Sequence, residues 1–192
     1  MRKLKKPPWR VNELNAKDFS EMPDTSDTKL QTGNTRNSDE EFMREAIRLS
    51  YEGMRANKGG PFGAIVVKDG KIISRGFNRV LESNDPTAHA EVVAIREACK
   101  ALNDFQLSGC TVYTSCEPCP MCLAAIYWAR PEKVFFGNTK QDAAEIEFDD
   151  RFIYEEIDLP YGERKIMMKQ LLRNEAIGAF EEWKNKADKT KY

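Results

Sequence analysis

A single histidine, His89, stands two residues before a carboxylate in Thr87-Ala88-His89-Ala90-Glu91. Thirty residues after it comes Pro118-Cys119-Pro120-Met121-Cys122. One imidazole and two thiolates supply three ligands to a tetrahedral zinc ion and leave the fourth position for water, the open arrangement of a catalytic site. Cys119 and Cys122 are one helical turn apart around Pro120, at a helix start whose partial positive charge favours thiolate. Glu91 lies on the same turn as His89. It can reach that water without coordinating the metal, as a proton shuttle must. Whatever fold the chain adopts has to bring these two helix starts together.

The parts of this pattern are weak when taken alone, because C-x-x-C pairs and lone histidines are common. Cys116 extends the cluster and offers a third thiolate, which would close the site into a structural one. A closed site gives Glu91 no role, so the joint pattern H-x-E with P-C-x-x-C favours catalysis. This signature is shared by zinc nucleobase deaminases. Cys99 and Cys110, on a helix and at a strand start, read as plain buried thiols.

The 192 residues carry 30 basic and 31 acidic side chains. So even a balance argues against a surface built to hold nucleic acid or anionic membrane. No apolar run reaches the roughly 18 to 20 residues of a membrane span, and no apolar segment follows the basic start as in a secretory signal. Five cysteines, three of them clustered, suit a reducing cytoplasm rather than a disulfide framework.

Residues 1–38 hold only nine hydrophobic side chains with eight basic and five acidic ones, leaving 22 basic and 26 acidic for residues 39–192. Such a stretch buries too little apolar surface to order itself and reads as a flexible polar extension. Docking of this arm through Trp9, Val11, Leu14 and Phe19 is the alternative. Ser38-Asp39-Glu40-Glu41 then fits a capping box. Phe42, Met43, Ala46, Ile47, Leu49 and Met54 continue at helical spacing until Asn57-Lys58-Gly59-Gly60-Pro61. Phe62 to Val67 and Lys71 to Phe77 read as strands joined by an Asp69-Gly70 hairpin turn. A helix over Ala88 to Leu102, a strand over Thr111 to Ser115 and a helix from Pro120 to Ala129 follow. Val134 to Gly137 and Ile166 to Leu171 read as strands, Asp142 to Glu147 and Glu175 to Lys186 as helices. The predicted fold is an α/β three-layer sandwich around a mixed five-stranded sheet.

Gly60-Pro61-Phe62-Gly63-Ala64, Asn84 to Glu91 and Thr114 to Cys122 together resemble the cytidine deaminase-like superfamily. With Ile126 to Pro131, Phe148-Asp149-Asp150 and Phe152-Ile153-Tyr154, residues 39–192 are most similar to its small, zinc-dependent guanine deaminases. The resemblance implies zinc on His89, Cys119 and Cys122, with Glu91 as general acid and base. It implies a purine base held among Phe62, Asn78, Ala90, Trp128, Asp150 and Tyr192. Trp128 would close the pocket, Asp150 would assist departure of ammonia, and Tyr192 would cap the base. Read without the resemblance, Phe62 and Trp128 could be core aromatics, Asn78 a turn residue, Asp149-Asp150 a solvated loop and Tyr192 a frayed end. The resemblance further implies a homodimer, with exchanged C-terminal segments as one form of it. Other deaminases of the superfamily remain the alternative: those acting on guanosine, a cytosine nucleotide, an aminotriazine or tRNA adenosine.

Overall fold

The computed structural model describes residues 38–191. The N-terminal extension before Ser38 and the proposed cap Tyr192 lie outside the described residues. Helix α1 (Asp39–Arg55) starts at the expected capping box: the Ser38 hydroxyl accepts from the Glu41 amide, and the Glu41 carboxylate accepts from the Ser38 amide. Strands β1 (Gly63–Lys68) and β2 (Lys71–Phe77) form an antiparallel hairpin. Asp69 and Gly70 both take positive φ at its tip, as a tight two-residue turn demands.

A short helix α2 (Val80–Ser83) leads to α3 (Ala90–Leu102). Then come β3 (Cys110–Cys116), α4 (Pro120–Ala129) and β4 (Lys133–Asn138). Pro120 occupies the first turn of α4, and Arg130 ends that helix in the left-handed region, just ahead of Pro131. The sheet order is β2-β1-β3-β4, with β3 and β4 parallel and the other pairings antiparallel.

Strand alternation sorts the core into two layers. Ile65, Val67 and Tyr113 pack under Phe42, Ala46 and Leu49 of α1. Ala64, Val66, Cys110 and Val112 pack under Ala90, Ala94 and Ala98 of α3, with Ala129 of α4 joining them. Helices therefore cover both faces, giving the expected three-layer sandwich.

The sheet has four strands among the described residues, not five. The segment from Ile166 to Leu171 forms no strand here; Ile166 and Met167 are 80% and 87% exposed. Its composition suits a strand, but pairing needs an edge within reach. The outer edge of β4, which carries the exposed Phe135 and Phe136, receives no further strand. The chain instead continues as α5 (Lys140–Glu145), α6 (Arg151–Asp158), a single 3-10 turn (Tyr161–Glu163) and α7 (Arg173–Asn185). No described helix is long and apolar enough to cross a membrane.

Candidate active site

Two helix starts meet at one end of the sheet. His89 is the N-cap residue of α3 and its ring makes no capping bond, so it is left to point outward from the helix start. Cys119 is the N-cap of α4, and its sulfur accepts from the Cys122 amide. The His89 Nδ1 lies 3.6 Å from the Cys119 Sγ and 3.5 Å from the Cys122 Sγ. A tetrahedral zinc with ordinary Zn–N and Zn–S bonds requires an N···S separation of about 3.6 Å. Both N···S separations therefore already match the edge of a zinc tetrahedron, and one borderline nitrogen with two soft sulfurs suits that ion.

Cys116 does not complete a fourth corner. Its thiol faces the Thr139 carbonyl at 3.5 Å, and burial pushes its pKa up to about 11. The open reading of the motif is thus the one the geometry favours. Within the cysteine pair, the hydrogen bond from Cys122, followed by that with His89, lowers the pKa of Cys119. Cys122 is driven up by its bond to the Cys119 thiolate, and His89 is raised by the same sulfur. Bound zinc would hold both sulfurs as thiolates.

Glu91 sits in the first turn of α3 and is only 5% exposed. Its Oε1 accepts from the Thr114 hydroxyl at 3.0 Å, and its Oε2 lies 3.4 Å from the Cys122 sulfur. Burial raises its pKa above the usual carboxylate range, against the hydrogen bonds from its own amide and from Thr114. A carboxyl biased toward taking up a proton, beside a metal set, is suited to carrying protons.

These groups open into a cavity of about 460 Å³. Phe62, Asn78, His89, Glu91, Cys119 and Asp150 all line it, so the structure brings most of the sequence-predicted residues to one place. Asn78 also serves as a turn residue: its Oδ1 accepts from the Val80 amide at 3.2 Å. Asp150 is the N-cap of α6, but its side chain caps nothing, and burial, then the nearby Cys119, raises its pKa. Ala90 is fully buried in the core below and does not line the cavity.

Trp128 departs from the expectation. Helix α4 turns Cys122, Ile126 and Ala129 inward, which places Trp128 on the opposite face, 66% exposed and outside the cavity of its own chain. The sequence reading also missed much of the wall. Phe148 meets Phe62 edge to face, ring centres 5.0 Å apart, and Lys140, Ala143, Phe152 and Ile153 continue the lining. The available signal was the apolar Phe148 beside an acidic pair, followed by Phe152 and Ile153 on one side of a short helix.

Residues 36–138 match the cytidine and deoxycytidylate deaminase zinc-binding region. The chain belongs to this deaminase family. It is 57% identical over 153 residues to a guanine deaminase of Bacillus subtilis, covering 80% of this chain and 98% of that protein. The X-ray structure of guanine deaminase from Bacillus subtilis superposes with a TM-score of 0.79 at 56% identity, over 81% of this chain and 99% of the other. A guanine deaminase structure from Nitrosomonas europaea gives a TM-score of 0.56 at 32% identity, over 59% and 65%. A tRNA-specific adenosine deaminase of Aquifex aeolicus is 50% identical over 100 residues, 51% of this deaminase and 64% of the relative.

Proposed function

We propose that the protein converts guanine and water to xanthine and ammonia. One observation carries this reading above others. A match covering 80% of the chain necessarily takes in every cavity-lining residue from Gly59 to Ile153, and the relative it matches is a guanine deaminase. An RNA substrate suits the site poorly, because Glu117, Glu147, Asp149 and Asp150 line the cavity against one lysine, Lys140, and would repel phosphate.

Phe62 and Phe148 offer the planar base an aromatic wall. With its Oδ1 occupied by Val80, Asn78 has its amide NH2 to donate to the ring. When held by His89, Cys119 and Cys122, zinc supplies the Lewis acidity that makes water a nucleophile near neutral pH. Glu91 accepts a proton from the attacking water as the oxygen bonds to C2. The C2–N3 double bond opens, and Glu91 delivers the proton to N3. It then passes the remaining hydroxyl proton to the exocyclic amine, which Asp150 helps to orient. The C2–N bond breaks, ammonia leaves and C2 becomes a carbonyl. The buried carboxylate works among fixed dipoles, which need little reorganisation as charge develops.

Residues 39–192 form the catalytic domain and residues 1–38 an extension. The protein acts as a homodimer in the cytoplasm, a setting that suits its free thiols. The exposed Tyr127 and Trp128 of α4, the bare β4 edge and the exposed apolar stretch from Ile166 to Leu172 support a second copy as their cover, with exchanged C-terminal segments. In that assembly Trp128 serves the neighbouring cavity. Purified protein assayed for ammonia against guanine, guanosine, cytosine, cytidine, adenine and a tRNA anticodon stem should favour guanine. Comparable turnover of cytidine or of the RNA would overturn the substrate assignment.

A further inference from the structure

The mechanism requires Glu91 to hold one carboxylate oxygen still while the other moves protons, and the metal set cannot do this for it. Strand alternation turns Cys110, Val112 and Thr114 of β3 toward α3. The first two are core residues, whereas Thr114, 0% exposed, places a hydroxyl within reach of the carboxylate on the first turn of α3. That hydroxyl donates to Glu91 Oε1 at 3.0 Å. The other oxygen, Oε2, has the Cys122 thiol 3.4 Å away.

We infer that Thr114 is a positioning residue for the proton carrier. It anchors Oε1 from the sheet side and leaves Oε2 turned toward the metal ligands and the substrate. A β-branched side chain on a packed strand is stiff at χ1, so the anchor is rigid. It also comes from the strand that leads directly into Cys119 and Cys122, which ties the position of the carboxylate to that of the sulfurs. A bland alternative is that the hydroxyl only satisfies a buried carboxylate and contributes to stability alone.

The inference rests on Glu91 carrying the protons, and a double-mutant cycle separates the two claims. Thr114→Val keeps the shape and removes the donor. It should bind one zinc per chain and leave KM for guanine within about twofold. Its kcat should fall about 10- to 100-fold, the scale on which hydrogen bonds that orient metal-site groups act. Thr114→Ser, which restores the donor, should recover most of the rate. In a Glu91→Gln background Thr114→Val should cost nothing further, because the group it positions no longer carries protons. Wild-type kcat in Thr114→Val, a Ser variant as slow as the Val variant, or an equal further loss in the Gln background would each overturn the inference. If Thr114→Val does not fold, Thr114→Ala and its cycle with Glu91→Gln decide it instead: a kcat loss that disappears in the Gln background supports the anchor, and unchanged kcat or an equal loss in both backgrounds refutes it. A Glu91→Gln enzyme with near-normal turnover would instead overturn the proton-carrier reading itself.

Discussion

Gly76 on β2 is where α3 rests on the sheet, and adding one methyl group there should disturb the site from a distance. A Cβ at Gly76 would lie 2.4 Å from the Ala90 carbonyl oxygen and 2.7 Å from the Ala94 amide nitrogen. Both are helix backbone, so no side chain can swing aside. Ordinary contact begins near 3.4 Å, so the first turn of α3 has to retreat by about 1 Å. That turn carries Glu91 and follows directly on His89, while Cys119 and Cys122 stay on α4. Overpacking of this kind costs about 1–3 kcal/mol, or roughly 2–10 °C in Tm for a domain of this size. A misplacement of about 1 Å in a catalytic array costs on the order of 100-fold in rate. Gly76→Ala should therefore lower Tm by several degrees, weaken zinc retention against a chelator and cut kcat by one to two orders of magnitude. Calorimetry, metal analysis after graded chelation and steady-state kinetics read the three effects. A variant that keeps its zinc and turnover within twofold would show that α3 can shift without moving the ligands, and would refute the packing argument.

Two further outcomes follow from the geometry. Phe148→Ala removes the edge-to-face partner of Phe62 and should raise KM for guanine roughly 5- to 30-fold with little change in kcat, as steady-state kinetics would show. A fall in kcat at constant KM would remove Phe148 from substrate binding. Glu45 is held down at about 2 by hydrogen bonds from Arg48 and Arg75, so its folded pKa lies below its unfolded one. Its contribution is present above about pH 4.5 and is lost as pH falls toward 2. Glu45→Gln should cost about 0.5–1 kcal/mol at pH 7, and the gap to wild type in thermal melts should close by pH 2–3. A gap constant across that range would contradict the assignment.

Local signals in the sequence led reliably to the parts of the site that are set by helix starts. Ser38 with Glu41, Asp69-Gly70 and Pro120 each specify a cap or turn through short-range chemistry, and each appears where expected. The lone His89 and the Cys119–Cys122 pair were legible for the same reason, because zinc chemistry fixes both the residue types and their spacing. The cavity wall was not. Phe148, Phe152 and Ile153 reach it from α6 and the loop before it; the family resemblance marks both segments, but where they lie against the metal set depends on tertiary packing. Helix α6 itself is only eight residues long, too short to show a clear period. Trp128 stands outside the cavity of its own chain because Cys122, Ile126 and Ala129 of α4 point inward and so decide which face it occupies, something the family resemblance does not carry. The stretch from Ile166 to Leu171 has a strand's composition but does not pair within its own chain, although the β4 edge is bare, because composition does not say which edge a segment reaches.

In the proposed reaction Glu91 and a zinc ion on His89, Cys119 and Cys122 turn guanine into xanthine. The most direct measurement follows xanthine and ammonia released from guanine by wild-type and Glu91→Gln protein, with zinc counted in both. Each should hold one zinc per chain, and wild type should release equal amounts of the two products. The variant should release them at least about a hundredfold more slowly, the usual scale for losing a general acid and base. Full activity in the zinc-loaded variant, or no xanthine from zinc-loaded wild type, would contradict it.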